Sequence, residues 1–522
     1  MKILTFIPVL LFTFPLLAQN TGADTAVISR IIREGTDRSG VMQTASYLTD
    51  VYGPRLTGSP DYDRAAEWTL NELKRYGLEN VKKETFGPFG KGWSLKRFYL
   101  HAMEPVSFPV IGVPKAWSPA VKGVQKAEVV WLNVKSREEL ETYRGKLAGK
   151  LVMISDPVEL KPGFKPDASR HSDSTLLVLS NADPKGTRNR STMGQVNPAI
   201  SVRDKFEFVI AEKALATIEP SRGDDGTVFS MGAYVVQPEN VSWDQRIQAY
   251  SPGNKTVIPQ VVIAAENYNR WVRMIGKGQT IRAEMVLEVS FTEEKDGYNL
   301  LAEIPGTDYP EEVVMLGGHF DSWHGGTGAT DNASGVAVAM EAMRLLKEAG
   351  VRPKRTIRIA LWGGEEQGLL GSRGYVKKNL GERLDKAAPW DSIRYQPAGE
   401  KFSVYFNMDN GTGKFRGIYM EGNETARPLF RDWLKPFATK GAATLSPLST
   451  GGTDHMAFNA IGLPGFQFIQ DPIEYFAKTW HSNMDVYDKL IEDDLKHNSM
   501  VMAVFVYQAA MMEGLFPRKP LN

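Results

Sequence analysis

The pattern of apolar and polar positions divides the chain into three stretches. Residues 20–40 are polar with helical spacing. From Val41 to Gly77 the pattern predicts helix, loop and helix. Gly53-Pro54-Arg55 and Thr57-Gly58-Ser59-Pro60 interrupt it, and Ala65, Ala66, Trp68, Leu70 and Leu73 then recur at helical intervals up to Gly77. Strands follow at Val81–Phe86 and Trp93–Leu100. Between about 107 and 288, short β-like runs (127–134, 150–154, 175–179, 260–263 and 281–291) alternate with Gly/Pro-rich breaks, and no long helical pattern dominates. This stretch reads as a mostly β module. From Tyr298 onward strands alternate with helices. Val313–Gly317, Thr356–Trp362, Phe402–Met408 and Phe466–Ile469 are of strand length, Val336–Ala349 is helical, and Asp488–Met512 closes as a long helix. That alternation predicts an α/β fold, a mixed, largely parallel sheet covered by helices on both faces. No internal repeat and no low-complexity segment interrupts it.

At 522 residues the chain has room for about three domain-sized units. A hydrophobic fraction of 42% and a charged fraction of 24% exclude a disordered or fibrous chain. Lys+Arg 62 against Asp+Glu 61 leaves a net charge of +1, so nothing in the overall charge points to nucleic acid or an anionic membrane as partner. The absence of cysteine excludes disulfides, cysteine nucleophiles and thiolate metal sites; any metal must be held by carboxylates and by the seven histidines 101, 171, 319, 324, 455, 481 and 497. Met1-Lys2, the apolar run Ile3–Leu17 and Ala18 read as a signal peptide, residues 1–18, cleaved after Ala18. The run is short of the roughly 20 residues a span needs, and no cysteine follows it to carry a lipid anchor. The expectation is an exported protein, secreted or periplasmic, with no stable membrane anchor.

Candidate chemistry gathers where strands end. Gly317-Gly318-His319-Phe320-Asp321 closes the first strand of the last stretch, and open α/β sheets bind ligands at the carboxyl ends of their strands. Asp331-Asn332-Ala333-Ser334-Gly335 immediately precedes a helix and, taken alone, reads as its cap. Glu365-Glu366 follow Trp362-Gly363-Gly364, and adjacent carboxylates on a tight turn repel each other unless solvated, protonated or held by a cation. Asp409 follows the third strand, and His481 lies in the loop before the last helix. Each has an ordinary reading by itself. Together, two histidines and three carboxylates (His319, Asp331, Glu366, Asp409 and His481) converge on one sheet edge and can hold two divalent ions about 3.5–4 Å apart. Glu365, beside a ligand, is placed to handle a water proton. His324 reads as an exposed residue of the flexible loop Trp323–Gly328, and His101, His171 and His497 as structural.

The ordered set His319-x-Asp321, Asp331-Asn-Ala-Ser-Gly, Glu365-Glu366, Asp409 and His481 resembles the di-zinc M28 peptidases, the aminopeptidase and glutamate-carboxypeptidase group, along about 290–522. The resemblance implies a zinc-exopeptidase-like catalytic domain at 289–522, completed by residues 19–106, with 107–288 resembling an inserted protease-associated domain. It implies two Zn2+ per chain, one held by His319 and Asp409, the other by Glu366 and His481, and both by Asp331. Glu365 would be general base and then acid. Asp321 would hydrogen-bond the free nitrogen of His319, and the Asp331–Asn332 peptide would be cis. The loop Gly451-Gly452-Thr453-Asp454-His455 resembles a family loop near the active site, making Asp454 and His455 candidates for contact with substrate or ligands. The implied activity is a secreted exopeptidase cleaving short peptides, with aminopeptidase, carboxypeptidase and dipeptidase modes left open. A glutaminyl-cyclase-like acyl transferase and a non-catalytic receptor-like scaffold are the alternatives. The apolar C-terminal helix and the β module each offer a surface for a homodimer.

Overall fold

The structure, a computed structural model, describes residues 23–184, 200–239, 241–242, 245–254, 257–385 and 392–520. The signal segment 1–18 lies outside the described residues. In chain order the strands are β1 (Glu79–Glu104), β2 (Phe108–Pro109), β3 (Gly112–Pro114), β4 (Gln125–Trp131), β5 (Leu151–Met153), β6 (Ala216–Pro220), β7 (Gln260–Ile263) and β8 (Ile281–Ile304). They continue with β9 (Tyr309–His319), β10 (Arg355–Trp362), β11 (Gly381–Arg383), β12 (Ile393–Tyr395), β13 (Phe402–Asn407), β14 (Phe415–Tyr419), β15 (Thr444–Ser446) and β16 (Gly465–Gln470). Fourteen form one sheet, in which β15-β14-β16-β13-β9-β10-β8 leads on to β4-β5-β6-β7-β3; β11 and β12 pair separately.

The four strands β16, β13, β9 and β10 are parallel, and β8 joins them antiparallel. Their side chains alternate between two cores, as a pleated strand requires. Val314, Leu316, Ile357, Ile359, Leu361, Val404 and Phe406 face the helices Val41–Ser46, Pro60–Arg75, Ser334–Glu348 and Glu492–Met511. Met315, Ala360, Trp362 and Tyr405 face Tyr375, Val376, Ala457 and Phe458 on the other side. Burial on both faces explains the near-continuous apolar runs of these strands. The helix Pro60–Arg75 follows from its ends: the Ser59 side chain accepts from Tyr62 N, Pro60 opens the first turn, Asp61 and Asp63 meet the positive end of the dipole, and Lys74 and Arg75 the negative one.

β1 and β8 pair along nearly their whole length, from Glu79↔Glu303 to Glu104↔Arg282. This ribbon carries the sheet out of the 289–522 part into the 107–288 part, where β4, β5, β6 and β7 are mutually parallel. β1 is a single strand where the sequence predicts two. Its Gly/Pro-rich middle accommodates register shifts at Thr85/Gly87, Pro88/Gly90 and Lys91/Trp93, so those residues bulge instead of ending the strand. The 107–288 part also holds four helices among the described residues. Residues 175–179, read as β, lie in the helix Asp173–Ser180, whose Ser172 side chain accepts from Thr175 N; a five-residue apolar run does not distinguish the two states, and the cap decides. Arg137–Glu141, Val202–Ala211 and Ala265–Ile275 are the others. The long C-terminal helix runs Glu492–Met511, and Leu495 and Val501–Ala510 are buried within this chain. Its apolar face is thus covered by its own fold, which overturns its reading as a dimer surface. No helix among the described residues is long and apolar enough to cross a membrane.

Candidate metal centre

The parallel strands place the candidate ligands. His319 is the last residue of β9, Glu365 and Glu366 follow β10, and Asp409 follows β13. Asp331 lies in the tight turn Ala329–Ala333 that leads into the helix Ser334–Glu348, and its peptide bond to Asn332 is cis. His481 reaches in from the loop before the last helix. All five candidate ligands come together. His319 Nε2 is 3.0 Å from Asp331 Oδ1 and 3.3 Å from Asp409 Oδ1. His481 Nε2 is 2.9 Å from Glu366 Oε2 and 3.3 Å from Asp331 Oδ2. The two oxygens of Asp331 therefore face different imidazoles, which joins the donors into two groups with one shared carboxylate. Ligand atoms of His319, Glu365 and Asp409 also lie within 4.8 Å of one another.

These separations suit cations. Tetrahedral bonds of about 2.0 Å set ligand atoms about 3.3 Å apart. Asp331 Oδ2 and Glu366 Oε1 are buried and make no aligned hydrogen bond, an unusual condition for a carboxylate unless something else neutralises it. Charge points the same way. Burial drives the Glu365 carboxyl well above its ordinary range and Glu366 up to about 7. For His319 and His481 burial works against the charged form, but Asp409 and Glu365 around the first, and Glu366 and Asp331 around the second, raise both imidazoles; His481 is raised to about 10. Asp331 resists the upward push of burial because His319 and His481 hold it below its ordinary value. A buried cluster whose acids retain protons and whose imidazoles gain them is short of positive charge. Nitrogen and carboxylate donors without sulfur suit divalent zinc.

A second layer orients these groups. His319 Nδ1 donates to the Asp321 carbonyl at 2.9 Å; since a carbonyl only accepts, Nδ1 carries the proton and Nε2 faces the cluster. The expected partner was the Asp321 carboxylate, but its Oδ1 is 3.7 Å from Nδ1. That carboxylate instead accepts the backbone N–H groups of Glu365 (3.1 Å) and Glu366 (3.2 Å), fixing the turn that bears them. Asp485, given no role by the sequence, accepts from Thr330 N at 2.6 Å, Thr330 Oγ1 at 2.8 Å and Asp331 N at 3.2 Å. Its only signal is a carboxylate four positions after His481. His481 sits at φ 59°, a left-handed conformation of the kind that costs about 1–3 kcal/mol and needs support. Trp480 stacks on it at 3.7 Å, and Ser230 N donates to its carbonyl at 3.0 Å.

The loop at 451–455 divides. Asp454 is fully buried, its charge bears on Glu365, and burial pushes its own carboxyl up to about 8. His455 turns instead toward Glu421, at 3.5 Å. His324 is buried, not exposed: Nε2 meets the Pro114 carbonyl at 2.6 Å, and its ring stands edge-on to Trp93.

An imidazole–carboxylate cluster at the carboxyl ends of parallel strands is the arrangement of a metal-dependent α/β hydrolase. The family model of Peptidase family M28 matches residues 299–506. Carboxypeptidase Q of Xenopus laevis is 32% identical over 491 residues, covering 92% of this chain and 88% of its own. In fold the chain is similar to a peptidase M28 precursor from Shewanella amazonensis (TM-score 0.65, 23% identity, 95% and 98% of the two chains). It is similar also to a zinc aminopeptidase from Bacillus subtilis (TM-score 0.53, 19% identity, 92% and 94%). The chain belongs to peptidase family M28, and it is a hydrolase of peptide bonds.

Proposed function

We propose that this protein is an exported zinc exopeptidase of short peptides with two ions per chain. What carries the reading is Asp331, whose two oxygens lie 3.0 Å and 3.3 Å from the Nε2 atoms of His319 and His481. His319 and Asp409 would hold one ion, Glu366 and His481 the other, and Asp331 both. Bound there, the ions supply Lewis acidity for a water and for the scissile carbonyl. Glu365 takes the proton of the attacking water on its carboxylate and returns one to the departing amine nitrogen. Asp321 holds Glu365 and Glu366 through their backbone, and the His319 Nδ1–carbonyl bond keeps Nε2 directed inward. Export rests on the apolar run Ile3–Leu17.

Arg222 favours a carboxypeptidase-like or dipeptidase-like mode. It is exposed, has no ion-pair partner among the described residues, and lies over the rings of Phe229 (4.1 Å) and Trp480 (4.9 Å), the latter stacked on His481. A cation so close to a ligand suits a free substrate carboxylate.

Metal analysis and hydrolysis before and after treatment with 1,10-phenanthroline test the reading. About two zincs per chain are expected, with at least a 100-fold loss on stripping and recovery on adding zinc. One zinc would favour the acyl transferase, none the scaffold, and undiminished hydrolysis by the stripped protein would overturn the metal reading. Short peptides amidated at the C-terminus are expected to be cleaved at least tenfold more slowly than free ones; equal rates would remove the carboxypeptidase mode.

A further inference from the structure

The break Gly53–Ser59, more than 250 positions before the first ligand, passes directly behind the cluster. Arg55 is fully buried. Its Nε donates to the Phe320 carbonyl (2.8 Å), Nη1 to the Leu48 (2.9 Å) and Thr327 (3.1 Å) carbonyls, and Nη2 to the Gly328 carbonyl (2.9 Å). Its backbone N–H donates to Ser322 Oγ at 3.0 Å. Phe320, Ser322, Thr327 and Gly328 all belong to the connection whose two ends are His319 and Asp331, so one guanidinium sets the path between two ligands. No carboxylate forms an ion pair with it among the described residues. Asp485, Asp321 and Asp331 are the acids whose charge it feels, so it also faces the negative cluster from behind.

Two residues further on, Thr57 is buried and its hydroxyl donates to Asp321 Oδ2 at 3.0 Å. That carboxylate is the one accepting Glu365 N and Glu366 N. A buried hydroxyl thus reaches the base-bearing turn through a single intermediary.

We propose that Arg55 and Thr57 are positioning residues of the hydrolytic site, Arg55 fixing the His319–Asp331 connection and Thr57 fixing, through Asp321, the turn that carries Glu365 and Glu366. This rests on the reading of the cluster as a zinc hydrolase. Neither residue touches substrate; both hold the geometry on which ligation and proton transfer depend.

Thr57→Val keeps the volume and removes the hydrogen bond, whereas Thr57→Ser keeps the hydroxyl. In the full-length, zinc-loaded protein, Thr57→Val is expected to lower kcat at least tenfold with KM within twofold. It should also lose zinc at a several-fold lower chelator concentration. Thr57→Ser should return kcat to within about threefold of wild type. Arg55→Lys, which cannot fork across four carbonyls, is expected to lose zinc more readily than wild type while its KM stays within twofold. Wild-type kcat and zinc retention in Thr57→Val, or an equal loss in Thr57→Ser, would overturn the proposal alone, since the wild type would still be a zinc hydrolase. A wild-type protein that hydrolyses peptides without metal would overturn the reading beneath it as well.

Discussion

Glu365 lies within ligand distance of His319 and Asp409, yet His319 already has Asp331 and Asp409 on its Nε2 side. In the proposed reaction the Glu365 carboxyl is the group that moves a proton, and Glu365→Gln would remove that capacity while keeping shape and the backbone bond to Asp321. The variant is expected to retain wild-type zinc content while kcat falls at least 100-fold; full activity would remove Glu365 from the reaction. A second residue contributes to behaviour in acid. His497 is buried in the C-terminal helix, with Nε2 3.3 Å from the Phe415 carbonyl and its ring edge-on to Phe437. Burial first, then Lys414, Lys440 and Arg416, lowers its pKa to about 3. The unfolded chain, with an ordinary value of about 6.5, binds more protons between those limits. The contribution of this site to stability is therefore complete above about pH 6.5 and is lost as pH falls through the window. At pH 5 the loss from this site is about 2 kcal/mol. Urea midpoints at pH 7 and pH 5 should show His497→Leu losing about 2 kcal/mol less than wild type. Equal losses in the two proteins would clear His497 of the effect.

At the scale of elements, β9 carries both core and chemistry, and its glycines explain how. A Cβ on Gly317 would sit 1.8 Å from the Ala360 carbonyl oxygen of β10, and one on Gly318 2.6 Å from the Met408 carbonyl oxygen. The strand closes on its neighbours because these positions lack side chains, and His319 follows at once. Gly317→Ala must push β9 from β10 and is expected to destabilise by about 2 kcal/mol or more, read as a lower Tm, with weaker zinc retention because His319 moves with the strand. An unchanged Tm would mean that the pairing is looser than described. The same elements mark how far the sequence was legible. β9, β10, β13, β16 and the helix Ser334–Glu348 follow from apolar runs bounded by glycines and acids; His319, Glu366 and Asp409 follow from their place at strand ends, Asp331 from its place before a helix, and His481 from the loop before the last one. β14 and β15 are not legible in the sequence because their apolar residues, Phe415, Ile418 and Tyr419 in one and Leu445 in the other, are too few to show a period. Asp173–Ser180 was misread because its run is too short to show a period. Arg55, Thr57 and Asp485 stayed silent because their meaning lies in carbonyls, amides and a carboxylate remote in sequence.

For the whole molecule, the 107–288 part is fastened to the loop that carries His481. Asn483 N donates to the Val228 carbonyl at 3.0 Å, Val228 N to Asn483 Oδ1 at 2.7 Å, and Asn483 Nδ2 to the Gly226 carbonyl at 3.3 Å. Ser230 N holds the carbonyl of His481 itself at 3.0 Å, and Lys478 forms ion pairs with Asp167, Asp224 and Asp225. A separate fastening, Arg170 with Asp471 (2.9 Å) and Asp494 (2.7 Å), ties the same part to the residue after β16 and to the helix Glu492–Met511. The strained backbone of His481 thus depends on a module remote in sequence. Asn483→Ala removes both side-chain bonds and leaves the backbone bond, a change of about 1–3 kcal/mol confined to this junction. Amide exchange should then quicken together at 226–230 and 479–485, by about 5- to 100-fold, while amides of the helix Glu492–Met511 stay protected. Arg170→Ala should leave exchange at 479–485 unchanged. Faster exchange at 226–230 with no response at 479–485 would show that the loop holds His481 unaided.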